Sequence, residues 1–126
     1  MHRYRLYGLF VDTPTADNDA AIEFWSGALG ATPIFGEDDD PYTALDGAHP
    51  GLRIEVQAVD DAPRYHLDIE TDDVPAETAR LEALGAAVVT RERGYNVLRA
   101  PSGHLLCVVP VQSPREFFDA NARTAG

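Results

Sequence analysis

The chain has 126 residues, a size suited to one domain, and its 44% hydrophobic content is enough for a buried core. Its formal net charge of -11 argues against a nucleic-acid partner, whose phosphates select Lys and Arg, and against an anionic membrane surface. The single cysteine, Cys107, excludes an intrachain disulfide, and no apolar run reaches the roughly 18 residues of a membrane span.

Residues 4–11, "YRLYGLFV", read as a strand of mixed burial. "TPTADND" supplies turn residues and a helix N-cap. Residues 18–29 then form an amphipathic helix, with Ile22, Trp25 and Leu29 on one stripe and Phe24 and Ala28 widening it. Trp25 and Phe24 are assigned to the core on that basis. Gly30 stands where a helix stop belongs. "TPIFGE", "YTALDG" and "GLRIEVQAV" follow as strands, the last alternating Leu52, Ile54, Val56 and Ala58 with Arg53, Glu55 and Gln57.

The order then repeats. "RYHLDIET" is a strand. "DDVPAETARLEALG" is a helix with Pro75 in its first turn and Gly85 at its stop. "AAVVTRE", "YNVLRA" and "GHLLCVVPV" are strands. A terminal helix over about 114–122 would dock through Phe117 and Phe118. Ala28-Leu29-Gly30-Ala31 and Ala83-Leu84-Gly85-Ala86 close the two main helices alike, and "YTALDG" echoes "YNVLRA". Each half reads βαβββ, with module one over about 4–59, module two over about 64–111 and a tail over 112–126. The acid runs "GEDDD", "VDD" and "TDD" read as solvated loops, or as an electrostatic lure for a cationic ligand.

"AIEFWSGALGATP", "HLDIETDDVPAETARLEALGA" and "GYNVLRAPSGHLLCVVP" together resemble the vicinal oxygen chelate superfamily, which includes glyoxalase I, extradiol dioxygenases and bleomycin-resistance proteins. The resemblance covers nearly the whole chain and is closest to the glyoxalase-like subgroup. It implies an α+β fold of two tandem βαβββ modules forming a curved, cleft-lining mixed sheet with the helices outside. It also implies a small-molecule ligand and a homodimer.

In metal-dependent members of that superfamily, four ligands come from four strands, two per module. Carried over, His66 stands at a ligand position in module two, and Glu55 at one in module one. Aligning "PGLRIEV" with "PSGHLLCVV" on their turn glycines makes Cys107 the symmetry mate of Glu55. The first strand offers Tyr7, Leu9 or Val11 on one face and Leu6, Gly8 or Phe10 on the other, none a usual ligand. The expectation is therefore no complete metal site and no cofactor, the alternative being a divalent metal on a His66, Glu55 and Cys107 set with an open fourth position, the Cys107 thiolate serving as a ligand.

His66 and Glu55 remain as an acid–base pair, with His66 open to three readings: metal ligand, catalytic base, or a residue that shapes the cleft. Tyr7, Arg53, Gln57, Asp68, Arg99 and Cys107 are the expected cleft residues, Arg99 pairing with the acids. His49 and His104 sit in turns, and His2 is terminal. No serine elbow, P-loop or dinucleotide glycine motif is present.

The functional expectation is a glyoxalase-like small-molecule-binding protein, acting as a lyase or isomerase in a sheet-lined cleft. The alternatives are a drug-sequestering binder of the bleomycin-resistance type, and a metal-dependent lyase or dioxygenase using His66 and Glu55. The N-terminal "MHRYRLYGLF" has no signal-peptide h-region, so a cytoplasmic location is the default. Asp/Ala-rich stretches suggest a high-GC bacterial source.

Overall fold

The computed structural model describes residues 1–126 and contains nine strands and three α-helices. In chain order these are β1 (His2–Pro14), α1 (Asn18–Leu29), β2 (Thr32–Phe35), β3 (Tyr42–Asp46), β4 (Arg53–Val59), β5 (Arg64–Thr71), α2 (Val74–Ala83), β6 (Ala87–Arg91), β7 (Asn96–Arg99), β8 (Leu105–Pro110), α3 (Arg115–Asn121) and β9 (Arg123–Ala125). The βαβββ order occurs twice, as the sequence indicates. The chain divides into two compact units: residues 8–66, and residues 1–7 together with 67–126. The boundary cuts β1 after Tyr7, so the first seven residues join the second repeat.

In the 8–66 unit the strands run β2-β3-β4-β1, with β1 parallel to β4 and the other neighbours antiparallel. Strand alternation sends Val11, Leu45 and Val56 to one face, where Ile22 of α1 joins them in a closed core flanked by Trp25 and Ile54. Val56 is wholly buried. Gly30 caps α1 in the left-handed region at φ 63°, which glycine reaches without steric cost. The helix stripe is narrower than the sequence pattern suggests. Trp25 packs on the core, but Phe24 is 63% exposed and meets only the edge of Trp25 among rings. The reason is angular: Phe24 lies roughly 200° around the helix from Ile22. The expected side-chain N-cap is also absent, since α1 starts after a short 3-10 turn whose Asp17 makes no capping bond.

In the other unit the order is β1-β5-β8-β7-β6, with β9 on β1 and β5 parallel to β8. Leu81 of α2 packs on Leu98 and Val108, flanked by Ile69, Val74 and Leu106. Asp73 caps α2 by accepting from the Ala76 amide at 3.0 Å, and Pro75 sits in the first turn, as the sequence indicates. Phe118 of α3 is fully buried, while Phe117 lies under the Arg5 guanidinium, 4.7 Å from ring centroid to Cζ. No helix is long and apolar enough to cross a membrane.

Two charge clusters tie this unit together. Glu70, fully buried, accepts from Arg5 Nη1 at 2.5 Å, the Ser113 amide at 2.9 Å, the Ser113 hydroxyl at 2.7 Å and the Gln112 amide at 2.7 Å. Burial alone would raise its pKa, but the bonds from Ser113, Gln112 and Arg5 outweigh it and hold the carboxyl below its ordinary range. The second cluster centres on Glu77, also fully buried, which bonds His2 Nε2 at 2.8 Å and takes both Nε and Nη2 of Arg80 at 2.7 Å. The terminal His2 is thus a partner of a buried carboxylate.

Candidate functional site

In the 8–66 unit α1 covers one sheet face, and the functional side chains stand on the other. Because Val11 points to α1, its neighbours Phe10 and Asp12 point away from it. Register extends that helix-free face sideways: Gly8 pairs with Arg53, Phe10 with Glu55, Asp12 with Gln57, and on β3 Ala44 pairs with Glu55 and Tyr42 with Gln57. His66, near the start of β5, belongs to the same face.

Asp12 is the residue that sequence reading missed. The first strand continues three residues beyond Val11, so Asp12 is a strand residue and not part of the turn. Only 3% of it is exposed, and its Oδ2 lies 2.7 Å from His66 Nδ1. Its other oxygen, Oδ1, is buried without a hydrogen-bond partner. Arg64 Nε stands 3.6 Å from Oδ2, while Arg64 Nη1 donates to Asp61 at 2.9 Å. The signal was legible: Gly8, Phe10 and Asp12 share one parity, but the Thr-Pro pair that follows read as the end of the strand.

An ionised carboxylate only accepts, so the bond to Asp12 requires a proton on Nδ1 of His66. In the neutral imidazole Nε2 is then the basic nitrogen. The ring is fixed from a second side by Phe10, whose ring lies parallel to it at 8° and 4.8 Å between centroids. Tyr42 meets Phe10 edge-on at 6.0 Å, and Gln57 Nε2 donates to the Tyr42 hydroxyl at 3.2 Å. The arrangement is an aromatic floor with an oriented imidazole, a form suited to holding an organic ligand beside a base.

Of the expected site residues, His66, Arg53, Glu55 and Gln57 fall in the 8–66 unit, and Tyr7, Asp68, Arg99 and Cys107 in the other. The expected His66–Glu55 partnership is not what the bonds describe. His66 bonds Asp12, and Glu55 accepts from Arg53 Nε at 2.9 Å. In the other unit Asp68 and Cys107 are register partners, with Val97 on the far side of Cys107. Cys107 is half-buried. Nearby Tyr95 has its hydroxyl pKa raised, first by burial and then by Glu92, Cys107 and Asp68. Arg99 Nη1 donates to the Gly103 carbonyl at 2.9 Å in the turn between β7 and β8. Tyr7 is half-buried on β1. His49 and His104 are exposed in turns, as expected.

Register also tests the ligand set that the resemblance implies. Glu55 lies between Phe10 and Ala44, and Cys107 between Asp68 and Val97, so the two are equivalent positions of the repeat. By the same count Gly8 is the mate of His66. A Cβ built on Gly8 would lie 2.8 Å from the Arg53 carbonyl oxygen. Module one therefore offers no side chain at its first position, and at its second a carboxylate already bonded to a guanidinium. The two-per-module ligand set that the resemblance implies is thus incomplete in module one.

A profile of the family described as "Glyoxalase-like domain" matches residues 8–109. No curated protein matches the chain. Among solved structures, methylmalonyl-CoA epimerase from Mycobacterium tuberculosis is 20% identical with a TM-score of 0.59, covering 88% of this chain and 89% of that one. The hypothetical protein BH1468 from Bacillus halodurans is 12% identical with a TM-score of 0.63, covering 88% and 96%. A single-residue variant of Streptomyces coelicolor methylmalonyl-CoA epimerase, in complex with 2-nitronate-propionyl-CoA, is 17% identical with a TM-score of 0.55, covering 86% and 98%. These likenesses are of fold. With the family match spanning most of the chain, they establish that it belongs to the glyoxalase-like domain family of the vicinal oxygen chelate superfamily.

Proposed function

We propose that the protein binds a small organic metabolite on the helix-free face of the 8–66 unit and moves a proton on it, an isomerase- or lyase-type reaction with His66 as the base. The observation that carries this is the 2.7 Å bond from His66 Nδ1 to a carboxylate, Asp12, that is almost entirely buried. Burying a carboxylate costs several kcal/mol unless it is bonded. Spending it on one face of an imidazole fixes both the ring and its tautomer, which orients the base. The Phe10 and Tyr42 rings favour an unsaturated or apolar ligand body. Epimerases among the solved proteins of this fold support the reaction class by analogy alone.

The test is long-range ¹H–¹⁵N NMR of His66 in the ligand-free protein. The neutral ring should show its proton on Nδ1, and Asp12→Asn should abolish that preference. A neutral ring protonated on Nε2 in the wild type would overturn the assignment of His66 as the base. The functional arm is deuterium uptake from D2O into acidic C–H positions of candidate carbonyl metabolites, expected to vanish in His66→Gln.

A further inference from the structure

We propose that the outer face of α1 docks a basic amphipathic helix of another protein, with Phe24 as its anchor. Within the 8–66 unit α1 and His66 lie on opposite sides of the sheet, so the proposal stands apart from the proton-transfer reading.

The first observation is local. Phe24 is 63% exposed, and among rings it meets only Trp25, edge-on at 5.1 Å between centroids. On a helix surface the neighbours of a side chain stand three and four residues away on either side. For Phe24 these are Ala20, Ala21, Gly27 and Ala28, all small. Ala20, Gly27 and Ala28 are exposed, and a Cβ built on Gly27 would meet nothing within 4 Å. Phe24 is therefore a single ring standing on a flat apolar surface. It adds nothing to the core, where Ile22, Ala21 and Trp25 supply the contacts of α1. Small side chains along these rows let a second helix approach to about 8–10 Å, and an aromatic residue among them is the type that anchors an interface.

The second observation is charge, and it selects the occupant. The 8–66 unit holds 12 of the chain's 21 acidic residues but only Arg53 and Arg64 of its 10 basic ones. Of the chain's formal charge of -11, this unit therefore carries -10. Both arginines face acids, Arg53 at 2.9 Å from Glu55 and Arg64 at 2.9 Å from Asp61. On α1 itself Asp19 and Glu23 are exposed, and the helix has no Lys or Arg. Glu23 lies about 100° and Asp19 about 140° around the axis from Phe24, in the same sense, so acids border the apolar surface along one flank. A helix with an apolar stripe and Lys or Arg beside it matches that layout. The same charge repels an anionic lipid surface. It also opposes a second copy packed face to face, since each copy would bring -10 to the contact.

The experiment is an NMR titration of the full chain with an amphipathic helical peptide of Leu and Lys, about 18 residues long. A Leu/Glu peptide of the same pattern and an oligolysine of the same length serve as controls. The Leu/Lys peptide should shift the Ala20, Phe24, Gly27 and Ala28 amides saturably. Oligolysine should bind about tenfold or more weakly, and the Leu/Glu peptide should not bind. Phe24→Ser should weaken the Leu/Lys peptide by about tenfold or more while its urea denaturation matches the wild type, because the ring is exposed. Asp19→Asn with Glu23→Gln, which leaves Phe24 in place, should weaken binding and reduce its salt dependence. No saturable shift on α1, shifts centred elsewhere, equal binding of the Leu/Glu peptide, or an affinity unchanged in Phe24→Ser would overturn the proposal. So would a dimer, seen by sedimentation of the protein alone, that Phe24→Ser dissolves, or Phe24-dependent binding to anionic vesicles.

Discussion

Replacing Glu70 with Gln tests whether the buried cluster in the second unit is held by charge. Glu70 receives four donors on two oxygens: Arg5 Nη1, the Ser113 amide, the Ser113 hydroxyl and the Gln112 amide. Gln keeps the shape but turns an NH2 toward donors and sets a neutral amide against the Arg5 charge, 9% exposed. Removing one partner of a buried pair costs about 3–5 kcal/mol. For a chain of this length that corresponds to a fall in Tm of roughly 10–20 °C. Urea denaturation at neutral pH measures it directly. The pH dependence gives a second reading. The folded carboxyl lies below its ordinary range, so its stabilisation is complete above the unfolded-state pKa of about 4.3 and is lost as pH falls through the folded value. The gap between wild type and Glu70→Gln should therefore narrow below about pH 4. A loss under about 1 kcal/mol at pH 7, or a gap unchanged into the acid range, would refute the charge argument.

Two further substitutions probe the frame of the site. Leu98→Ala opens a void beneath α2 at a fully buried position and should cost about 2–5 kcal/mol in denaturation, with no change in the His66 NMR signature. Gly8→Ala forces a methyl against the Arg53 carbonyl and should cost about 1–3 kcal/mol while perturbing the Arg53 and Phe10 resonances. A silent Gly8→Ala would mean that the strand relaxes and that Gly8 is not kept clear for Arg53.

Much of the frame was legible because each element carries a local signal. The first helix ends at a left-handed glycine, the second starts at a capping Asp followed by Pro75, and β4 alternates cleanly. Legibility failed where the signal was not local. Phe24 is the exception: its place was legible, since it lies roughly 200° around the helix from Ile22, and the stripe was drawn too wide. The pairing of β9 with the start of β1 joins opposite ends of the chain, and a three-residue strand has no period to detect. The role of Asp12 failed for a similar reason. Its partner is 54 positions away, and the Thr-Pro after it mimics a turn.

The repeat explains why that last omission mattered. Counting along the paired strands, Phe10 corresponds to Asp68 and Asp12 to Glu70, two buried carboxylates at equivalent places. Glu70 meets Arg5, Ser113 and Gln112, an environment of permanent donors that leaves it a structural anchor. Asp12 meets an imidazole, which can change its proton, and carries an oxygen with no bond at all. The same fold position thus serves as a fixed strut in one repeat and as the partner of a titratable group in the other. The difference lies in what each carboxylate is bonded to: guanidinium and amides hold their protons throughout the physiological range, and imidazole does not. That asymmetry, more than the presence of a histidine on a strand, is the reason to seek the chemistry at His66.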